Sequence, residues 1–266
     1  MDVDARIEQS LLDLFWLPEW AEVVERPGLL YTRSARDQHA LNQVLRVRGD
    51  DPGALPGMVA EVDEAHRGVT SRWMLARDSQ LPALPPLLLR HGWTPEHRHH
   101  VRAAEVTELA VAPSPGVVVR AVTDEQTLID CVRVCERAFG RAPQTITAQR
   151  VADELGQLAR ADAQVHRFVA YDLETGRPMA SGGVNTFPEL GVGFLWGGGT
   201  DPDLRRRGGY RAVVAARLAR SAEVGCGLVG IYAREDTSDP IMAALGFARH
   251  GTMITWKRDA GYQPAS

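Results

Sequence analysis

Cysteine is scarce in this chain. Three in 266 residues, Cys131, Cys135 and Cys226, are too few for the disulfide framework that holds small secreted domains together. Cys131 and Cys135 stand four apart in a helical pattern, neighbours on one face, and read as buried thiols of a reducing compartment. Basic charge is not in excess either. Thirty Lys and Arg against 34 Asp and Glu leave a formal net charge of -4, which argues against a general nucleic-acid binder. No apolar run approaches the ~18 residues of a membrane span, and the acidic N-terminus lacks the charged-then-apolar pattern of a secretion signal. The expectation is a cytoplasmic protein whose partners are neither nucleic acid nor membrane. Nothing selects between a monomer and a homodimer. No metal is indicated. The stretch His97, Arg98, His99, His100 has no supporting Cys or paired carboxylates, and alternate strand residues face opposite ways, so a solvated strand face is expected there.

What is present is the composition of a globular protein, 44% hydrophobic and 24% charged, with length for two cores. In the first half, Leu11, Leu12, Leu14, Phe15 and Trp16 make a helical pattern that Pro18 interrupts. A short apolar run over 29–31 and a strand over 44–47 follow. After a Pro/Gly-rich segment over 51–57 come a helix over 58–65 and an extended run over 72–75. A helix over 84–89 is started by Pro85 and Pro86 and stopped at Gly92. Val111, Ala112, Pro113, Ser114, Pro115 and Gly116 can continue neither a helix nor a central strand. The chain is therefore read as an N-terminal domain over 1–111, a linker over 112–116 and a C-terminal domain over 117–266.

The second half is more regular. A β-branched strand over 117–122 leads to a helix that Thr123 caps with Gln126 in a capping box, running to about Phe139 with Leu128, Val132 and Cys135 on one face. A helix over 148–158 and strands over 167–171, 179–187 and 192–196 follow, the first two strands joined by Glu174-Thr175-Gly176 as a hairpin. A helix over 208–224, a strand over 228–232, a short helix over 240–245 and a strand over 247–256 complete a mixed α/β sheet. The halves echo each other: Leu88-Leu89-Arg90-His91-Gly92-Trp93 and Ala243-Ala244-Leu245-Gly246-Phe247 both place a helix end, a glycine and an aromatic before a last strand.

The segment with chemistry in it runs from Trp196 to Arg211. A strand ends in Gly197, Gly198 and Gly199. A turn with Pro202 follows, and Arg205, Arg206, Arg207, Gly208 and Gly209 open a helix. The first amides of a helix have no internal partner and carry partial positive charge. Glycines let that backbone approach an anion, and arginines add charge, so the segment suits a pyrophosphate. No Lys-Ser/Thr follows the glycines, which excludes a Walker A loop, and the Rossmann glycine spacing is missing.

This segment resembles the coenzyme A loop of the GNAT N-acetyltransferases, Arg/Gln-x-x-Gly-x-Gly/Ala, with Arg205 in the first place and Gly208 in the fourth. Tyr210 departs from the usual Gly or Ala. Thr200-Asp201-Pro202 matches the family's preceding Val/Thr-x-Pro, and Leu245-Gly246-Phe247 its closing segment. The resemblance covers 117–258. It implies the GNAT acyltransferase fold, in tandem, with a degenerate first copy that lacks the loop and walls the acceptor pocket. It implies acetyl-coenzyme A as co-substrate, held by Gly198, Gly199, Thr200, Arg205, Arg206, Arg207, Gly208, Gly209, Tyr210 and Arg211. The pantetheine arm would lie in a gap with 196–200 as one lip and 228–232 as the other, the glycines favouring a bulge.

The partner implied is a primary amine of a small molecule or peptide, attacking the thioester directly. The family's proton donor, a tyrosine, is replaced here by Met242. Tyr232 is the substitute on the right strand. Glu235, Asp236, Glu189 and His166 are candidate bases, and Ser238 is expected to cap the short helix. With Met242 in that place, a non-catalytic acyl-coenzyme A sensor is the alternative.

Overall fold

The computed structural model describes residues 1–12, 17, 21–36, 41–49, 52–76, 79–112 and 114–262. Leu14, Phe15, Trp16 and Pro18 of the first helical pattern, Asp51 of the Pro/Gly-rich segment and Pro113 of the linker lie outside the described residues. In chain order the elements are α1 (Val3–Leu12), β1 (Glu22–Arg26), β2 (Leu29–Arg33), β3 (Gln43–Val47), α2 (Leu55–Ala65), β4 (Ser71–Leu75), α3 (Leu84–Arg90), β5 (Thr94–Glu105) and β6 (Val117–Ala121). Then come α4 (Glu125–Ala138), α5 (Ala148–Leu158), β7 (Val165–Asp172), β8 (Pro178–Phe187), β9 (Val192–Thr200), α6 (Gly209–Glu223), β10 (Leu228–Arg234), α7 (Ser238–Ala244) and β11 (Ala248–Arg258). Among the described residues no helix is long and apolar enough to cross a membrane, and no cluster of His, Cys, Asp and Glu could hold a metal ion.

The chain forms two compact units. The first comprises Met1–Ser10, Arg102–Ile231 and Met242–Ala248; the second comprises Leu11–Val101, Tyr232–Ile241 and Arg249–Ser266. In the first unit the strand order is β10-β9-β8-β7-β6. β6 to β9 run antiparallel to their neighbours and β10 parallel to β9. The hairpin between β7 and β8 closes as expected: the Asp172 carboxylate accepts the Thr175 amide at 2.9 Å, and Gly176 takes φ +68°, a conformation glycine adopts without steric cost.

Helices cover both faces of this sheet. On one, Leu128, Cys131 and Val132 of α4 and Val151 of α5 pack with Val169 and Tyr171 of β7. On the other lies α6, whose Val213, Val214 and Leu218 are buried, as the apolar spacing requires. The α4 cap differs by one position from the expectation. Asp124, not Thr123, accepts the Thr127 amide at 2.8 Å, and the Thr127 hydroxyl accepts the Asp124 amide at 3.2 Å. A carboxylate at the positive end of a helix is favoured over a hydroxyl, and Thr127 completes the box in place of Gln126.

In the second unit the order is β1-β2-β3-β4-β11-β5. Its core brings Val59 and Val62 of α2 and Leu84, Leu87 and Leu88 of α3 onto Tyr31, Val44, Leu75 and Trp256. Trp73 and Trp93 meet edge to face at 5.8 Å, the geometry that the ring quadrupoles favour. The histidine stretch lies on β5 and is not a solvated face. His99 is half-buried and His100 is 7% exposed, although Arg98 between His97 and His99 is exposed. Burial pushes the His99 imidazole down to about 4. His100 lies 2.9 Å from Asp239 and 3.3 Å from Glu235.

The echo between the halves is geometric as well as sequential. After α3 the Trp93 amide bonds the Leu88 carbonyl at 3.0 Å with Gly92 at φ +76°. After α7 the Phe247 amide bonds the Met242 carbonyl at 3.1 Å with Gly246 at φ +96°. Both are helix ends closed over a left-handed glycine, each followed by a fully buried aromatic.

Candidate functional site

The site is built where β9 ends and α6 begins. Gly183 pairs with Trp196 and Ser181 with Gly199, so Gly182 alone opposes Gly197 and Gly198. Gly197 has φ +58°. This is a β-bulge with glycine in the left-handed position, on the segment where the glycines predicted one. On its other edge β9 pairs with β10 from Val192↔Leu228 to Leu195↔Ile231 and no further, although β9 continues to Thr200. From Trp196 to Thr200 the β10-facing edge of β9 thus has no ladder partner in β10, whereas Leu228 to Ile231 pair with Val192 to Leu195.

Past the strand, the Asp201 amide bonds the Met179 carbonyl at 2.8 Å, and the buried Asp201 carboxylate takes two hydrogen bonds from Arg137 of α4, at 2.7 and 3.0 Å. It also accepts the Asp203 amide at 3.0 Å. The Arg137 bonds hold this carboxyl below the ordinary range, against the opposing effect of burial. With Leu204 buried, the turn has an ionic anchor and an apolar one. Arg205, Arg206 and Arg207 then emerge exposed. Arg206 is at φ +63° and Gly208 at φ +84°, so two left-handed residues curl the loop into a concave run of amides.

Helix α6 opens without a side-chain cap. The Ala212 amide bonds the Gly208 carbonyl at 3.0 Å, which leaves the amides of Gly209, Tyr210 and Arg211 without partners inside the helix. Gly208 is needed twice over: its φ is left-handed, and an added Cβ would lie 2.8 Å from the Ser114 Cβ. Ser114, from the segment read as a linker, donates its hydroxyl to the Gly208 carbonyl at 3.0 Å. Gly209 is buried and a Cβ there would press on Met179 and Ala180. Of the three arginines, Arg207 is tied to Asp172 at 2.9 Å. Arg205, Arg206 and Arg211 project from the loop as exposed cations.

Tyr210 turns away from the loop mouth. Its ring would meet a Cβ on Gly198 at 2.9 Å, and its hydroxyl lies 3.9 Å from the Met242 sulfur. Beneath it Arg217 is fully buried with no carboxylate partner among the described residues. It donates to the Gly183 and Trp196 carbonyls, at 3.3 and 3.4 Å, the pair of residues just before the bulge. Burial lowers its guanidinium from the ordinary value, with Tyr210 opposing. The signal for it was an arginine on the apolar face of α6, four residues after Val213.

The opposite face of the sheet carries a pocket of about 180 Å³, bounded by Cys131 and Glu136 of α4, Arg141, Arg150, Arg167 and Trp196, with Gly183 and Gly197 at its floor. Sequence reading had not assigned Glu136, Arg141, Arg150 or Arg167 to a site, since they come from four separate segments, and had named Cys131 and Trp196 for other reasons. His166 is 3.3 Å from the Thr186 hydroxyl, and burial pushes it down to about 4. Glu189 is exposed in the turn before β9. Tyr232, Glu235 and Asp236 belong to the second unit. Tyr232 is half-buried, Glu235 lies beside His100, and Asp236 is paired with Arg234 at 2.8 Å, which holds its carboxyl below the usual range. Ser238 accepts the Arg234 amide at 2.9 Å rather than capping α7.

No family model matches the sequence, and no curated protein does. The fold is matched by solved structures. A GCN5-related N-acetyltransferase from Kribbella flavida aligns at 21% identity over 98% of this chain and 97% of its own, with a TM-score of 0.67. A second, from Sphaerobacter thermophilus, aligns at 18% over 90% and 76%, TM-score 0.62. A tandem GNAT protein from the clavulanic acid biosynthesis pathway aligns at 16% over 93% and 86%, TM-score 0.59. The chain has the fold of the GCN5-related N-acetyltransferases at the length of a tandem member, in agreement with the resemblance read from the loop and the Leu-Gly-Phe closure.

Proposed function

We propose that this chain is an acetyltransferase that moves an acetyl group from acetyl-coenzyme A to a primary amine. The observation that carries the reading is the uncapped start of α6 behind a left-handed, arginine-bearing loop, continuous with the bulged end of β9. That arrangement offers amides and charge for a pyrophosphate and an open strand edge for the amides of a pantetheine arm. In this reading Gly198, Gly199 and Thr200 line the arm, Arg205 to Arg211 hold the phosphates, and the domain over 117–266 is the one that binds the coenzyme.

The chemistry joins the amine nitrogen to the acetyl carbon and breaks the carbon–sulfur bond. The oxyanion that forms in between needs N–H donors, and backbone amides freed by the bulge are the ones within the site. The departing thiolate needs a proton. Met242 has none to give, and we assign that role to the Tyr210 hydroxyl, which reaches the Met242 sulfur from the neighbouring helix. A tyrosine at the loop's sixth position and a methionine at the usual donor's place then compensate each other. This answers one of the two grounds for a non-catalytic sensor, Met242; the other is the absence of an obvious side-chain base.

Calorimetry with acetyl-coenzyme A tests the reading. Micromolar binding, about -8 kcal/mol, is expected for the parent protein and is lost in the double variant Arg205→Glu, Arg206→Glu, which replaces two exposed loop cations by carboxylates. Absence of binding by folded parent protein would end the acetyltransferase reading. Tyr210→Phe should keep the affinity and lower kcat for thiol release by about 10²-fold or more; an unchanged kcat removes Tyr210 from the mechanism.

A further inference from the structure

The α4-side pocket says what kind of amine enters. It shares Gly182 and Gly197 with the bulge, but it opens on the sheet face opposite to α6. Side-chain directions on β8 separate the two faces: a Cβ on Gly182 would meet Arg217 and Val213 of α6, while a Cβ on Gly183 would meet the Trp196 ring. A second reactant can therefore reach the bulge from this side without crossing the phosphate loop.

The walls are cationic. Arg141, Arg150 and Arg167 all line the pocket. Arg150 and Arg167 share one carboxylate, Glu154, which stays ionised because the two arginines outweigh its burial. Arg141 has no carboxylate partner among the described residues and rests 5.3 Å from the Phe139 ring centre. The remaining lining carboxylate, Glu136, is spent: its oxygens accept from Arg133 at 2.8 Å and from the Gln144 amide at 2.7 Å. Three guanidinium groups are thus offset by the single carboxylate of Glu154, which two of them share, and the buried Arg167 Nε has no hydrogen-bond partner. The Arg167 guanidinium lies 5.6 Å from the Trp196 ring centre, so the indole gives the pocket an apolar wall.

We infer that the acceptor is a small primary amine carrying an anionic group, a carboxylate or a phosphate, with Arg141, Arg150 and Arg167 holding the anion and the amine directed to the bulge. The inference rests on the acetyl-transfer reading for the identity of the amine's partner. The same positive field has a catalytic consequence. Cations near an ammonium favour its neutral form, so an amine held in this pocket loses its proton more readily and the transfer can proceed without a strong side-chain base. The ammonium proton leaves to solvent before attack; the neutral nitrogen then bonds the acetyl carbon and loses a second proton as the carbon–sulfur bond breaks, which balances the proton that the Tyr210 hydroxyl gives the thiolate and regains.

The test is calorimetry on the full chain loaded with coenzyme A, with matched probes: γ-aminobutyrate and aminoethyl phosphate against butylamine and putrescine. At least about tenfold tighter binding is expected for one or both anionic amines. Comparing the two separates carboxylate from phosphate as the preferred head group. Arg141→Glu should remove the preference, and Arg141→Gln reduce it, while coenzyme A affinity stays that of the parent, which also reports an intact fold. Equal binding of butylamine, a preference for putrescine, or an anion preference that survives Arg141→Glu overturns the inference while coenzyme binding still supports the acetyl-transfer reading. Failure of coenzyme A to bind, with the anion preference retained, would instead remove the acetyl-transfer reading and leave the anion pocket standing.

Discussion

Gly208 is the residue on which the loop geometry can be tested most directly. Its φ of +84° would cost an alanine about 1–2 kcal/mol. The added methyl carbon would also sit 2.8 Å from the Ser114 Cβ, far inside ordinary contact. Relieving that by shifting the segment before β6 costs about 1–3 kcal/mol, so Gly208→Ala should destabilise the protein by about 2–5 kcal/mol. The two parts separate in a double-mutant cycle. Ser114→Gly removes the obstructing carbon together with the hydroxyl that donates to the Gly208 carbonyl; its own cost is about 1 kcal/mol. In the double variant only the dihedral strain remains. The cycle, measured by urea unfolding with constant slope, should therefore give a favourable coupling of about 1–3 kcal/mol. Acetyl-coenzyme A affinity should recover only in part, because strain persists at the amide that opens α6. A coupling near zero would refute the reasoning, since it would mean that Ser114 does not restrict position 208.

Two further outcomes follow from titrating groups. His66 is buried in the second unit with Nε2 2.7 Å from the Thr32 carbonyl, and burial pushes it from 6.5 down to about 4. The unfolded chain takes up that proton first, so stability from this group is full above pH 6.5 and about 3 kcal/mol is lost as the pH falls to about 4; His66→Leu should make the fall of urea midpoints over that window shallower by about that amount, the remainder coming from His99 and His166. Asp201→Asn should cost about 1–2 kcal/mol by leaving Arg137 of α4 without its two-pronged acceptor. Because the folded carboxyl of Asp201 is depressed by Arg137, its contribution is present above about pH 3.9 and fades as pH falls through the lower folded value. A parent and variant that keep the same stability difference down to pH 2 would contradict this.

Much of the architecture was legible because it is written in local rules. Pro85, Pro86 and Gly92 delimit α3, Thr175 and Gly176 close the β7–β8 hairpin, and the apolar spacing of Val213, Val214 and Leu218 lays α6 on a sheet. Each is a matter of backbone freedom or one-dimensional periodicity, and none needs a distant partner. Where two local signals compete, sequence reasoning slips by a residue, as at Thr123 and Asp124. The strands β1 and β5 were not delimited in advance. β1 is nearly all exposed, with charged ends and no apolar alternation, and β5 is a polar run whose burial depends on what covers it.

The candidate site divides the same way. The arginines and glycines from Arg205 to Gly209 suit an anion loop, because the amides that bind an anion belong to the backbone and need only a helix start and room to approach; the family resemblance, not the residues alone, made the reading a coenzyme loop. The roles of individual side chains were decided in three dimensions. Arg207 looks like its two neighbours in the chain, yet a carboxylate 35 residues away in the hairpin claims it. Tyr210 looks like a flaw in a motif until its hydroxyl is found beside Met242. The acceptor pocket is assembled from residues between Cys131 and Gly197 that carry no common spacing. Local sequence sets where the chain turns and which backbone groups stay open; only packing decides which charges neutralise one another, and so which remain to meet a ligand.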